Sequence, residues 1–196
     1  MKLVLASRNR HKLLELRTFL QDLPVEVVSV DDAHPGLVLV EDGLTFAENA
    51  LKKAREVFQG TQSPALADDS GLEVFYLNGR PGVRSARYAG DGATDDENNE
   101  KLLRQMRGVP ARRRGAQFRA VLALGGPGFE EGATGFCQGH LTEVPRGTNG
   151  FGYDPIFTPD GLDRTYAELT QEEKNRISHR FRAFAALRDI LRRRLG

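Results

Sequence analysis

The sequence predicts an α/β fold, on three observations. Short apolar runs of strand character begin at Lys2, Val25, Pro64, Leu72, Gln117 and Ala133. Elsewhere apolar residues recur at three- and four-residue spacing, as on one face of a helix. Thr45, Thr94 and Thr170 each stand three residues before a glutamate, the pattern of a reciprocal cap at a helix start. The 196 residues fit one domain, residues 1–196, or one domain with two lobes.

Composition narrows the function classes. Hydrophobic residues make up 39% and charged residues 28%, ordinary for a chain that buries a core without disulfides. A formal net charge of +1 gives no global field toward nucleic acid or a membrane. Cys137 is the single cysteine, so no internal disulfide can form and a reducing compartment is expected. No apolar run approaches the roughly 20 residues of a membrane span. The N-terminal residues enter a strand pattern with no signal-peptide layout. The expectation is a cytoplasmic protein with no membrane partner.

The first strand, Lys2 to Ala6, runs into Ser7-Arg8-Asn9-Arg10-His11-Lys12. Leu13, Leu16 and Leu20 then predict a helix from about Asn9 to Gln21. A helix N-terminus presents free N–H groups and a positive dipole end, so with Arg8, Arg10 and Lys12 the hexad can cradle a triphosphate. Asn9 or Ser7 can equally be an ordinary N-cap. The spacing is not that of a P-loop.

Val25 to Val30 predicts a second strand. A helix follows with Leu44, Ala47, Leu51, Ala54 and Phe58 on one stripe. Glu41 and Asp42, just ahead of it, complement its dipole, or Glu41 supplies an oxygen to a cation. Glu48, Asn49, Lys52 and Lys53 on this helix can face a ligand or only water, and solvent is the favoured reading.

Ala67-Asp68-Asp69-Ser70-Gly71 is the richest stretch, read as strand, carboxylate corner and a second strand from Leu72 to Leu77. Neighbouring strand side chains point to opposite faces, so Asp68 and Asp69 should diverge. One can hold a hard cation or steer a water while the other supports the turn. A plain Asx-type turn is the alternative.

Residues 78–90 read as a long loop carrying Arg84 and Arg87. The next helix, from Thr94 to about Arg107, contains Asn98 and Asn99, which are unusual inside a helix. Gln117 to Leu124 and Ala133 to Val144 predict an antiparallel pair. Arg112, Arg113 and Arg114 before it read as a solvated turn, with no wider basic stripe for nucleic acid. In Arg146 to Phe157, glycines flank Phe151 and Tyr153. Glycine lets such a loop wrap a flat ligand, and an exposed aromatic there can stack on a base. The alternative is a turn whose aromatics cap the core. The last helix carries Phe184, Leu187 and Leu191 and is opened by His179 and Arg180. Cations at a helix start oppose its dipole, so something else must hold them.

Six segments, in this order, carry a family resemblance. They are Ser7-Arg8-Asn9…Lys12…Glu15, Glu41-x-Gly43-Leu-Thr-Phe-x-Glu-Asn49-Ala, Ala67-Asp-Asp-Ser-Gly71, Pro81-Gly-Val-x-Ser-Ala-Arg-Tyr88, Gly150-Phe-Gly-Tyr-Asp-Pro155 and Glu173-Lys174…Ile177-Ser-His-Arg180. Together they resemble the inosine triphosphate pyrophosphatase family. The resemblance implies an elongated α/β domain, a long mixed sheet flanked by helices, two lobes with a central cleft, and a homodimer. It implies Mg2+-dependent hydrolysis of the α–β phosphoanhydride of ITP, dITP and XTP to the monophosphate and pyrophosphate, clearing deaminated purines from the nucleotide pool. It assigns Ser7, Arg8, Asn9, Arg10, His11 and Lys12 to the phosphates and Glu41 and Asp69 to the metal. Asp69 is also the implied catalytic base, with Ser70 touching substrate. Phe151, Gly152, Tyr153, Asp154, Lys174, His179 and Arg180 would surround the nucleoside. The chain departs from the family pattern at Arg8, where glycine is frequent, and at Phe181, where a small residue is.

The chemistry agrees with the resemblance. Nucleotidyl transfer needs charge neutralisation on phosphate oxygens and an in-line nucleophile more than covalent help. Mg2+ with Arg10 and Lys12 can supply the first, and a water oriented by Asp69 the second. A non-catalytic nucleotide or nucleic-acid binding protein is the competing reading. Glu41, Asp68 and Asp69 weigh against it, because carboxylates beside phosphates make sense with a metal and little sense without one.

Overall fold

The computed structural model describes residues 2–195. Strand β1 (Lys2–Leu5) is followed by helix α1 (Arg10–Leu20), β2 (Glu26–Ser29), α2 (Val30–Ala33), α3 (Phe46–Thr61) and β3 (Ala65–Val74). Then come α4 (Asp95–Gln105), β4 (Gly115–Gly126), β5 (Phe129–Leu141), β6 (Phe157–Pro159), α5 (Gln171–Ile177) and α6 (His179–Leu195). The strands form one mixed sheet in the order β2-β1-β3-β4-β5-β6. β1 is parallel to both β2 and β3, and β5 is antiparallel to β6. Parallel neighbours need a crossover, and α1 provides the first. β4 and β5 are joined by Pro127 and Gly128 alone, a connection that only antiparallel neighbours can share. Gly128 takes the left-handed conformation that this turn needs, with φ 75°. The fold is thus the expected α/β class with helices flanking a mixed sheet. No helix among the described residues is long and apolar enough to cross a membrane.

The chain divides into two compact units. The first comprises Met1–Asp69, Ala120–Gly135 and Arg180–Gly196. Its core is built from Leu3 and Leu5 of β1, Leu16 and Leu20 of α1, Leu66, Leu122, Leu124, and Phe184, Leu187 and Leu191 of α6. The second comprises Ser70–Arg119 and Phe136–His179. Its core gathers Leu72, Val74, Leu102, Met106, Phe118, Ile156, Phe157 and Tyr166.

Several local expectations are corrected. Asp68, Asp69, Ser70 and Gly71 make no corner: β3 runs through them without a break. Turn chemistry loses here because the carboxylates find cationic partners and because Gly71 is needed in the strand for close approach. A Cβ on Gly71 would stand 2.3 Å from Ser85 Oγ and 2.6 Å from the Gly82 carbonyl oxygen. The strand expected to reach Leu77 ends at Val74, and Phe75–Leu77 is a tight 3-10 turn. Residues 78–90 contain another such turn, Gly82–Arg87. β2 stops at Ser29, whose hydroxyl accepts from Asp32 N and caps α2. The second hairpin strand starts at Phe129 rather than Ala133.

The three predicted reciprocal caps all form, at Thr45, Thr94 and Thr170. A fourth, from Thr165 to Glu168, was not anticipated. The face of α3 is also corrected. Leu44 is 87% exposed, and the buried face is Phe46, Asn49, Ala50, Lys53, Ala54 and Val57. Two polar residues on that face hid it from a count of apolar spacing.

Candidate active site

The first unit collects most of the charged candidates. Asn9 is the N-cap of α1: its Oδ1 accepts from His11 N at 2.9 Å and Lys12 N at 3.3 Å. The ordinary capping role is therefore realised, and it occupies two of the helix's free amides. The Ser7 hydroxyl accepts from Asn9 N at 3.2 Å. Arg8 pairs with Asp31 at 2.9 Å and donates to the Leu37 carbonyl at 2.7 Å. Arg10 and His11 are exposed. Lys12 alone of the hexad turns toward β3, donating to the Asp68 carbonyl at 3.1 Å and lying 3.2 Å from Asp68 Oδ2.

Alternation along β3 separates the two carboxylates, as strand geometry requires. Asp68 is buried and accepts from Arg180 Nε at 2.7 Å, with Lys12 beside it. Arg180 Nη1 also donates to Glu15 Oε2 at 3.4 Å. This answers the conflict at the start of α6: Asp68 and Glu15 hold Arg180 against an unfavourable dipole. Asp69, also buried though less deeply, accepts from Asn49 Nδ2 at 3.0 Å and lies 3.4 Å from Lys53 Nζ. Lys53 Nζ in turn lies 2.5 Å from Glu41 Oε1 and donates to the Asp68 carbonyl at 3.1 Å. Glu41 and Asp69, far apart in sequence, thus converge on one ammonium. Asn49 also accepts from Gly43 N at 2.8 Å, which ties the segment after Glu41 to α3.

The electrostatics of the neighbours differ in sign. Burial pushes the Asp68 carboxyl up, but Lys12 and Arg180 outweigh it and hold it well below the usual carboxylate range. Burial raises Asp69 as well; Lys53 opposes it, Glu41 reinforces it, and the net position is above the usual value. Burial lowers Lys53, but Asp69 and Glu41 more than offset that and raise it. Lys12 is lowered, mainly by burial and the cations Arg180 and Lys53, against the pull of Asp68. Two adjacent carboxylates driven apart in acidity form the arrangement in which one stays a fixed charge and the other can exchange a proton.

The second unit holds the remaining candidates. Ser70 is half-buried in β3. The 150–154 loop is closed by Asp154, whose Oδ2 accepts from Phe151 N at 2.9 Å and from Lys174 Nζ at 2.5 Å. A Cβ at Gly150 would stand 2.0 Å from that same oxygen, so the loop needs glycine there. Lys174 Nζ lies 4.7 Å from the Phe151 ring centroid and 5.4 Å from that of Tyr166, within cation–π range. Phe151 is half-exposed. Tyr153 is buried in the core with its hydroxyl donating to the Ser85 carbonyl at 2.8 Å. The two aromatics therefore divide between the two sequence readings. His179 is buried and stacks on Phe118, centroids 4.8 Å apart and planes within 10°.

Sequence reasoning missed Lys53, Asn49 and Glu15. Lys53 and Asn49 are four residues apart on α3, in line with Ala50 and Ala54, so their place on the buried face was there to be read. Glu15 carried no signal beyond its family motif.

Among the described residues, no group of three or more His, Cys, Asp and Glu side chains is placed to hold a metal ion. Two carboxylates and a carbonyl converge on Lys53 instead, all of them oxygen donors. That set fits Mg2+, which prefers oxygen and is usually held by one or two carboxylates plus substrate phosphates.

The chain is similar over its whole length to known proteins. The dITP/XTP pyrophosphatase of Thermoanaerobacter pseudethanolicus is 45% identical over 195 residues, spanning 100% of this chain and 98% of its own. That of Streptomyces coelicolor is 50% identical over 199 residues, spanning 100% and 99%. The solved structure of a HAM1 protein from Coxiella burnetii superposes with a TM-score of 0.90 at 42% identity, covering 98% of this chain and 99% of that one. The family model of the Ham1 family matches residues 3–190, and the chain belongs to that family.

Proposed function

We propose that this protein is a Mg2+-dependent pyrophosphatase of deaminated purine nucleotides, cleaving ITP, dITP and XTP to the monophosphate and pyrophosphate. It is a hydrolase acting on nucleoside triphosphates, as its full-length relatives are named. The observation that carries the reading is the convergence of Glu41 and Asp69 on the Lys53 ammonium. It supports a cation site of oxygen donors, with the basic group of Lys12 at the neighbouring Asp68. Glu41 and Asp69 would hold Mg2+ there; when bound, it neutralises charge on the phosphate oxygens.

The residues of the chain take the other roles. Ser7, Arg8, Asn9, Arg10, His11 and Lys12 serve the phosphates, with Lys12 held in place by Asp68. Asp69 orients the attacking water and accepts its proton. Its place beside Asn49 and Lys53, which orient the carboxylate, supports that role. Ser70 contacts the substrate. Phe151, Gly152, Tyr153, Asp154, Lys174, His179 and Arg180 serve the nucleoside, directly or by shaping its surroundings. Lys174 is fixed by Asp154 between two rings, which leaves it able to donate to an oxygen at purine position 6. Adenine carries an amino donor there and would leave an ammonium N–H not given to Asp154 facing another donor, a mismatch worth a factor of about 10⁴ in a hydrogen-bonding site.

On the resemblance, residues 1–196 act as one pyrophosphatase domain, and the proposal extends to a homodimer in the cytoplasm that engages no nucleic acid. Product analysis tests the reaction class. Incubation with ITP and Mg2+ should give IMP and pyrophosphate, and EDTA should stop it. IDP with orthophosphate, or turnover that survives EDTA, would contradict the proposal.

A further inference from the structure

Gly152 is held at both its backbone N–H and its backbone carbonyl, in two consecutive peptide groups, by one helix. Asp95 and Asn99 stand four residues apart on α4 and so share a face. Asp95 Oδ2 accepts from Gly152 N at 2.6 Å, and Asn99 Nδ2 donates to the Gly152 carbonyl at 2.9 Å. No steric need for glycine fixes this position, since a Cβ built on Gly152 would meet nothing within 4 Å. Its φ of 62° lies in the left-handed region, where glycine is free to go but is not obliged to stay.

Asn99 is an expensive choice for holding a loop. It lies within a helix, where asparagine is a poor former, and it is buried. Its Oδ1 has no hydrogen-bond partner among the described residues, although a buried amide oxygen left unpaired costs stability. An apolar side chain would suit the helix better. What asparagine provides there is the N–H donor on the Gly152 carbonyl. The amide cannot be turned over without setting oxygen against oxygen, so the orientation is fixed by its partner. The preceding residue does a parallel job: Asn98 accepts from Ala89 N at 2.7 Å and donates to the Ala86 carbonyl at 3.2 Å.

We propose that Asp95 and Asn99 are positioning residues that set substrate selectivity by fixing the Gly152 peptide, and with it Phe151 on one side and the Asp154–Lys174 pair on the other. The inference rests on the proposal that this loop serves the purine. A shift of the peptide would move Phe151 and the Lys174 donor relative to the base and leave the phosphate-directed groups of the first unit unaltered.

The test is the kcat/KM of ITP and ATP with Mg2+ for wild type, Asn99→Ala, Asp95→Ala and Asp95→Asn. Removing one clamp bond should raise KM for ITP by about tenfold with little change in kcat, and lower the ITP-to-ATP ratio by a similar factor. Asp95→Asn keeps an acceptor for the Gly152 N–H and should restore the wild-type ratio. If Asn99→Ala fails to fold, Asp95→Ala, at an exposed position, decides the matter. A merely structural role would lower the melting temperature, or kcat for both nucleotides alike, and leave the ratio intact. A wild type that prefers ITP, with a ratio unchanged in Asn99→Ala and Asp95→Ala, overturns the clamp alone. A wild type with no preference overturns the purine reading and the clamp with it.

Discussion

Asp68 and Asp69, consecutive in β3, send their carboxylates to different cations: Asp68 to Arg180 at 2.7 Å and Lys12 at 3.2 Å, Asp69 to Lys53 at 3.4 Å. The first pairing is structural in character, because Arg180 is buried and Asp68 is its nearest counter-charge. Asp68→Asn leaves Arg180 and Lys12 without it. Breaking a buried pair from one side typically costs about 3–5 kcal/mol. The urea midpoint should fall by that free energy divided by the slope, with the slope unchanged. An unchanged midpoint would mean that Arg180 and Lys12 do not depend on Asp68.

The second pairing holds the carboxylate to which the proposed function gives the role of base. Asp69→Asn keeps the shape of the side chain and removes its charge and its basicity. Turnover should fall by about 10²–10⁴-fold, the usual contribution of a general base, while far-UV circular dichroism and cooperative melting persist. Full activity in a folded Asp69→Asn would remove this residue from the mechanism.

Gly71 offers a steric test. In Gly71→Ala the new methyl meets Ser85 Oγ and the Gly82 carbonyl within 3 Å, and the second is backbone that cannot rotate away. Overpacking of this kind costs about 1–3 kcal/mol. Adding Ser85→Gly should not recover the loss fully, because Gly82 remains and Leu72 N loses the hydroxyl that accepts from it at 2.9 Å. Complete recovery in the double variant would place the whole clash on Ser85.

Acid stability provides a fourth prediction. Glu173, in the reciprocal cap of α5, has its pKa drawn down to about 2 by Arg164 first and by the Thr170 amide and hydroxyl next. A carboxyl with a depressed folded pKa stabilises the fold above its unfolded value of about 4.3, and loses that contribution as pH falls toward 2. Glu173→Gln keeps a cap-competent side chain without the charge. The melting-temperature gap between wild type and variant should be present at pH 6 and close by pH 2. The pair with Arg164 is exposed, so the gap should be small and shrink with salt. A gap that widens on acidification would contradict the assignment.

The sequence made the local features readable. Caps at Thr45, Thr94 and Thr170 depend on residues three apart, and the cap of α1 at Asn9 on its next neighbours. The divergence of Asp68 and Asp69 follows from strand alternation alone. What stayed hidden depends on distant contacts. Asp-Asp-Ser-Gly has turn composition, yet β3 runs straight through it, because Lys12 and Arg180 pair with Asp68 Oδ2 and Ser85 packs on Gly71. Lys53 and Asn49 read as surface residues until Asp69 and Glu41 are seen against them. Asp95 was unmarked and Asn99 merely odd, because their partner Gly152 lies more than fifty residues downstream.

The central claim of the proposed function is that a donor fixed as Lys174 is by Asp154 selects a 6-oxo purine triphosphate for hydrolysis. Its most direct measurement is kcat/KM for pyrophosphate release from ITP and from ATP by the purified protein with Mg2+. The account predicts that ITP is favoured by about 10⁴-fold. A ratio near one, with both nucleotides turned over, would contradict it.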